Sequence, residues 1–133
     1  MVEVYVDGAS LGNPGRVGIG YVIYSGGKLI KEESLFLGVQ TNNFAEYMAF
    51  IFSLADVLNS GYKSCRVYSD SELLSKQIKG EYKVKNKNIF PLYLLAKKMI
   101  SSFEKVEIIH IKREKNARAD RLAKKGASAL ESS

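Results

Sequence analysis

Four carboxylates stand at junctions between segments of this chain. Asp7 follows an apolar run, Glu46 opens a strongly apolar stretch, Asp70 separates a strand-like from a helix-like segment, and Asp120 lies near the start of the last helix-like segment. In an α/β sheet such junctions can gather at one edge, where sites usually form. Carboxylates brought within a few ångströms oppose one another's ionisation, and a divalent cation is the usual remedy. Oxygen ligands without cysteine or histidine favour Mg²⁺, with Mn²⁺ as a substitute, over zinc. Two such ions about 3.5–4 Å apart can activate water and stabilise the leaving oxygen in phosphodiester hydrolysis.

Each acid also has a purely structural reading. Asn43-x-x-Glu46 and Ser69-x-x-Glu72 both match the capping-box pattern. Asp70 and Asp120 suit the first turn of a helix, where the macrodipole favours negative charge. Asp7-Gly8 could be a plain turn. The residues taken singly leave both readings open; their joint occurrence favours a shared site.

The elements that would carry them follow from periodicity. Val2 to Asp7 reads as a strand, Gly18 to Ser25 as a second, and Lys28 to Leu37 as a third, with Gly26-Gly27 as a hairpin signal. Asn13-Pro14-Gly15 suits a type II turn with glycine at positive φ. Asn42-Asn43 is the expected cap of a helix over Phe44 to Asn59, apolar nearly all round and therefore buried, and ended by Gly61. Arg66 to Ser69 reads as a strand, Ser71 to Lys79 as a helix, and Asn88 to Phe103 as another helix with Pro91 in its first turn. Val106 to Lys112 is the fifth strand, and Asn116 to Lys125 the final helix, closed by Gly126. Three consecutive strands imply an antiparallel meander, and the later alternation implies parallel strands beside it. The expected fold is α/β: a five-stranded mixed sheet flanked by helices, one domain over 1–126, with 127–133 as a fraying tail.

Charge is segregated. Residues 1–62 hold three basic against six acidic side chains, whereas residues 63–125 hold seventeen against seven. Basic charge concentrated in one half points to a polyanion, nucleic acid first. There is no run of about 18 apolar residues for a membrane span and no signal-peptide pattern, so a cytoplasmic location is expected. The single cysteine, Cys65, sits in a strand-like segment and is read as a packing residue.

The segments YVDGASLGNPG (5–15), TNNFAEY (41–47), YSDSELL (68–74) and REKNARADRLAKKG (113–126) together resemble the type 1 ribonuclease H family across essentially the whole chain. The resemblance implies an endonuclease that hydrolyses the RNA strand of an RNA–DNA hybrid, with two Mg²⁺ ions on Asp7, Glu46, Asp70 and Asp120, leaving 5′-phosphate and 3′-hydroxyl ends. It also implies groove contacts at Gly8, Ser10, Gly12 and Asn13, where glycines permit close backbone approach and the 2′-hydroxyl separates RNA from DNA. Thr41 matches a residue facing the DNA-strand phosphate, Asn42 and Asn43 match groove contacts, and Ser71 and Glu72 would flank the groove. The chain departs from many members in two places. Its segment 80–93 is short, though lysines stand at 79, 83, 85 and 87. The loop before Asp120 lacks a histidine: His110, the one histidine, is read as strand-bound, and Arg113 as a cation near the scissile phosphate. The expected partner is an RNA–DNA hybrid, double-stranded RNA stays open as a second ligand, and a monomer is expected. A non-catalytic hybrid or double-stranded RNA binder on the same fold is the alternative.

Overall fold

Alternating buried side chains at Val2, Val4 and Val6 build the first strand, β1 (Val2–Gly12), and it pairs antiparallel with β2 (Gly15–Ser25). In the computed structural model, which describes residues 1–129, β2 pairs antiparallel with β3 (Lys28–Gln40). There follow α1 (Asn42–Asn59), β4 (Ser64–Ser69), α2 (Glu72–Ile78), α3 (Phe90–Ile100), β5 (Lys105–His110), a 3₁₀ turn at Arg113–Lys115, and α4 (Ala117–Ser128). The five strands form one mixed sheet in the order β3-β2-β1-β4-β5, with β4 parallel to β1 and β5 parallel to β4. The expected meander and added parallel strands are thus the observed topology.

Successive strand residues point to opposite faces, and the two faces are covered differently. Val4, Val6 and Ile19 face the side on which α1 packs with Ala45, Phe50 and Leu54, all fully buried. On the other face α4 lies directly on backbone. A Cβ at Gly18 would come 2.1 Å from the Ala127 nitrogen, and one at Gly20 would come 2.4 Å from the Ala123 nitrogen. Two glycines opposite a row of buried alanines (Ala119, Ala123, Ala127) therefore set how closely the helix carrying Asp120 approaches the sheet.

Several expectations are corrected. β1 does not end at Asp7; its antiparallel partner outlasts its parallel one, so it runs on to Gly12 while β4 stops at Ser69, opposite Val6. The turn after β1 has a cis Asn13–Pro14 bond, and the positive φ belongs to Gly12 (106°) rather than Gly15. Thr41, not the asparagines, caps α1: its hydroxyl accepts from the Phe44 N–H at 3.2 Å. Gly126 does not close α4 but lies inside it, where a Cβ would meet the Leu35 carbonyl oxygen at 2.5 Å. The helix continues to Ser128, so the tail expected from 127 begins later: Ala127 is fully buried, and residues 130–133 lie outside those described. Residues 80–89 form no strand, although Lys83 and Lys85 are both exposed around a half-buried Val84. Among the described residues no helix is long and apolar enough to cross a membrane.

Candidate active site

Moving the cap of α1 to Thr41 makes Phe44 the residue that receives the cap, which removes the capping-box role from Glu46. Glu46 instead points from the second turn toward Asp7. It arrives there past Gly8, where a Cβ would come within 2.6 Å of the Ala45 carbonyl carbon and the Glu46 nitrogen. Only glycine allows that approach, so Gly8 first of all fits strand to helix. In the same way Ser71 caps α2, accepting from the Leu74 N–H at 3.1 Å, and Asp70 stands before the cap, outside the helix.

Asp7, Glu46 and Asp70 each offer an oxygen, and these oxygens lie within 4.8 Å of one another. Asp7 and Glu46 are buried, at 4% and 5% exposure. Burial, then the charge of Asp70, raises the Asp7 carboxyl to about 8, with hydrogen bonding to Asp120 acting the same way. Burial and the neighbouring Asp7 and Asp70 raise Glu46 well above the usual carboxylate range. In the metal-free protein burial and the neighbouring acids thus favour the protonated forms of Asp7 and Glu46.

Asp120 has a different setting. It hydrogen-bonds Asp7 but also pairs with Lys124 at 3.0 Å and faces the Arg113 guanidinium at 3.6 Å. Partial burial works to raise its pKa, yet hydrogen bonds from Lys124 and Asp7 and the nearby cations together hold it below its ordinary value. Lys124 was not singled out from the sequence; its spacing four residues after Asp120 was the available signal. Asn116 stood in the sequence as part of an Asn-x-x-x-Asp motif but without a role; it is 1% exposed and donates from Nδ2 to the Val6 carbonyl (2.8 Å) and to Asp70 Oδ2 (3.1 Å). It ties the start of α4 to β1 and holds Asp70 in one orientation.

A cavity of about 420 Å³ opens over these groups. All four acids line it, together with Gly8, Ser10, Asn42 and Arg113. Gly12, Asn13, Thr41 and Asn43 stand outside its lining, and the first three are exposed. The Asn42 N–H donates to Asn13 Oδ1 at 3.0 Å, which fixes the β1–β2 hairpin tip to the start of α1. Ser71 and Glu72 do not line the cavity; Glu72 pairs with Lys76 at 3.3 Å. His110 is exposed at the end of β5 and does not line the cavity, while Cys65 is buried, its thiol pushed up to about 12 by burial.

The donors fit hard divalent cations. All are carboxylate oxygens, and Glu46 Oε2 is buried with no hydrogen-bond partner among the described residues. A buried lone oxygen beside a second buried acid is costly unless a cation meets it.

Residues 5–126 match the family described as reverse transcriptase-like. The chain is 36% identical over 92% of its length to ribonuclease HI of Halobacterium salinarum, and the crystal structure of RNase H1 from that organism overlays 94% of it with a TM-score of 0.91. A bifunctional protein of Mycobacterium tuberculosis is likewise 36% identical over 92% of the chain. The chain spans 34% of that mycobacterial protein and 62% of the Halobacterium one. LC11-RNase H1, solved in complex with an RNA/DNA hybrid, is 37% identical, with 96% of each chain covered and a TM-score of 0.90. Identity at this level, sustained over nearly the whole of both chains and joined to TM-scores of 0.90 and 0.91, means that the chain belongs to the ribonuclease H family.

Proposed function

We propose that this chain is an endonuclease that hydrolyses the RNA strand of an RNA–DNA hybrid, leaving 5′-phosphate and 3′-hydroxyl ends. The observation that carries the reading is the set of carboxylate oxygens from Asp7, Glu46 and Asp70 within 4.8 Å of one another, two of the three side chains buried. Two Mg²⁺ ions, or Mn²⁺ in their place, held on these three acids and Asp120 would supply water activation and neutralise charge on the phosphate and leaving oxygen.

The chain's own groups do the rest. Asp7 is the shared acid, since it touches both Glu46 and Asp120. Asn116 holds Asp70 from behind through Nδ2. Arg113 and Lys124 put cationic side chains on the cavity wall, suited to a phosphate that approaches four acids. The hairpin tip at Gly12 and Asn13, fixed to Asn42, is the groove-reading edge, with Ser10 and Gly8 below it and Asn43 beside it. Thr41 spends its oxygen lone pair on the helix cap, which leaves its O–H to donate to a DNA-strand phosphate. Ser71 and Glu72, outside the cavity lining, would flank the groove.

The test uses hybrid, single-stranded RNA, double-stranded RNA and duplex DNA, each with Mg²⁺ or Mn²⁺. Cleavage of RNA in the hybrid with duplex DNA intact supports the reading. Binding of hybrid with no cutting in either metal would make the chain a binder instead, and equal cutting of duplex DNA would overturn the substrate.

A further inference from the structure

A second cavity, of about 330 Å³, opens on the same sheet face as α4 and shares no lining residue with the carboxylate cavity. Its wall is aromatic: Tyr5 stacks on Tyr68 with centroids 4.6 Å apart, and Tyr24 meets Tyr5 edge-on at 6.0 Å. Tyr5 and Tyr24 line the cavity, and Val22, Gly27 and Ala119 add apolar surface. Glu3 stands on one side. Its Oε2 accepts from the Tyr68 hydroxyl at 2.6 Å, leaving Oε1 without a hydrogen bond among the described residues. Lys115, at the end of the 3₁₀ turn, and Arg118, in the first turn of α4, bring positive charge. Arg118 is tied to Glu32 at 2.8 Å, whereas exposed Lys115 has no ion pair among the described residues. Asn116 also lines this cavity, and its Oδ1 is buried without a hydrogen-bond partner among the described residues.

We propose that this cavity binds a single nucleoside 5′-monophosphate, guanosine monophosphate best. A tyrosine wall accepts the face of any base, since every base has a π-face to stack. The Glu3 carboxylate beside it, with Oε2 already accepting from Tyr68, can still accept from N–H donors. Guanine offers two adjacent ones on its Watson–Crick edge, whereas adenine has no ring N–H there. Lys115 then takes the phosphate. The volume, at the lower end of small-ligand sites, suits one nucleotide rather than a strand. The inference does not depend on the nuclease reading, because no residue of this cavity serves as one of its four acids.

The experiment is calorimetric titration of the chelated and dialysed full chain with guanosine monophosphate, adenosine monophosphate and inorganic phosphate. Removing divalent ions keeps phosphate from binding through the acid cluster. One-site binding of guanosine monophosphate is expected, with the other two weaker by about tenfold or more, the cost of losing a charged hydrogen bond. Lys115→Glu should weaken guanosine monophosphate binding by about tenfold, and Glu3→Gln should erase its advantage over the adenine nucleotide. No saturable binding at millimolar nucleotide overturns the proposal. So does phosphate binding as tightly as the nucleotide, or nucleotide binding that neither substitution changes.

Discussion

At the scale of single residues, the site is a group of acids that the fold alone does not want ionised. The Asp7 carboxyl, raised to about 8, and Glu46, raised well above its range, keep protons that the unfolded chain releases near pH 4. The native state therefore binds more protons than the unfolded state across that interval, and stability must fall as pH rises through it. Chelated protein is expected to melt higher at pH 5 than at pH 8, and Mg²⁺ should raise the melting temperature most at pH 8, where the acids give up protons to bind it. A melting temperature of the chelated protein that does not change between the two pH values would remove this account. Asp7→Asn should flatten the pH dependence, stabilise the metal-free protein at pH 8 by roughly 2 kcal/mol, and abolish hybrid cleavage. Asn116 yields a separate expectation. Asn116→Ala removes both Nδ2 bonds, frees Asp70, and should lower kcat by more than it changes hybrid affinity, read by single-turnover kinetics against binding. The four acids were legible in the sequence as residue types at junctions, and Asn116 as one position of a motif, but what Asn116 does was not. Its role exists only because the start of α4 comes to rest against the Val6 carbonyl, 110 positions away.

At the scale of elements, what the sequence encodes plainly is order, and what it hides is contact. Alternation and helical periodicity found five strands and four helices in the correct sequence, yet Thr41 rather than the adjacent asparagines took the cap, because its backbone is extended (φ −86°, ψ 161°) where the helix begins. Glycines show the same limit. Gly61 and Gly80 have φ of 89° and 82° with nothing near a Cβ, as expected of residues that follow helices. Gly18, Gly20 and Gly126 look no different in a one-dimensional reading, but they are contact glycines that let α4 lie on β2 and β3. The distinction predicts two outcomes. Gly20→Ala drives a methyl against the backbone of α4 at Ala119 and Ala123, one residue before and three after Asp120, and should cost about 3 kcal/mol and most of the cleavage rate. Gly61→Ala strains only its own turn, and should cost about 1 kcal/mol with cleavage retained. Urea unfolding with a cleavage assay on the same samples separates them; equal loss of activity in both would mean that α4 packing does not position the site.

At the scale of the whole molecule, the acids that would hold metal draw on a chain whose positive charge is gathered in its second half. Residues 63–125 carry seventeen of the twenty basic side chains. Part of that charge, Arg113 and Lys124, is at the cavity itself. Another part lies along the segment after α2, where Lys79, Lys83, Lys85 and Lys87 are exposed and Val84 packs against the core as an anchor. The Lys83 carbonyl also accepts from Gln77 Nε2 at 3.3 Å, so the ridge is fastened to α2. Each phosphate that these lysines neutralise releases counterions. Hybrid affinity should therefore fall steeply with salt. Lys83→Ala with Lys85→Ala should weaken binding and reduce the slope of log affinity against log salt by about two, one for each phosphate that no lysine then neutralises, while leaving cleavage of already bound hybrid unchanged. Fluorescence anisotropy with a labelled, uncleavable hybrid across a salt series measures the slope, and single-turnover cutting at saturating enzyme measures the rate. A slope unaltered by the double substitution would make these lysines solvated surface and leave Arg113 and Lys124 as the groups that bring substrate to the acids. A slope reduced together with the bound-state rate would mean that the ridge also sets the register in which the RNA strand meets Asp7.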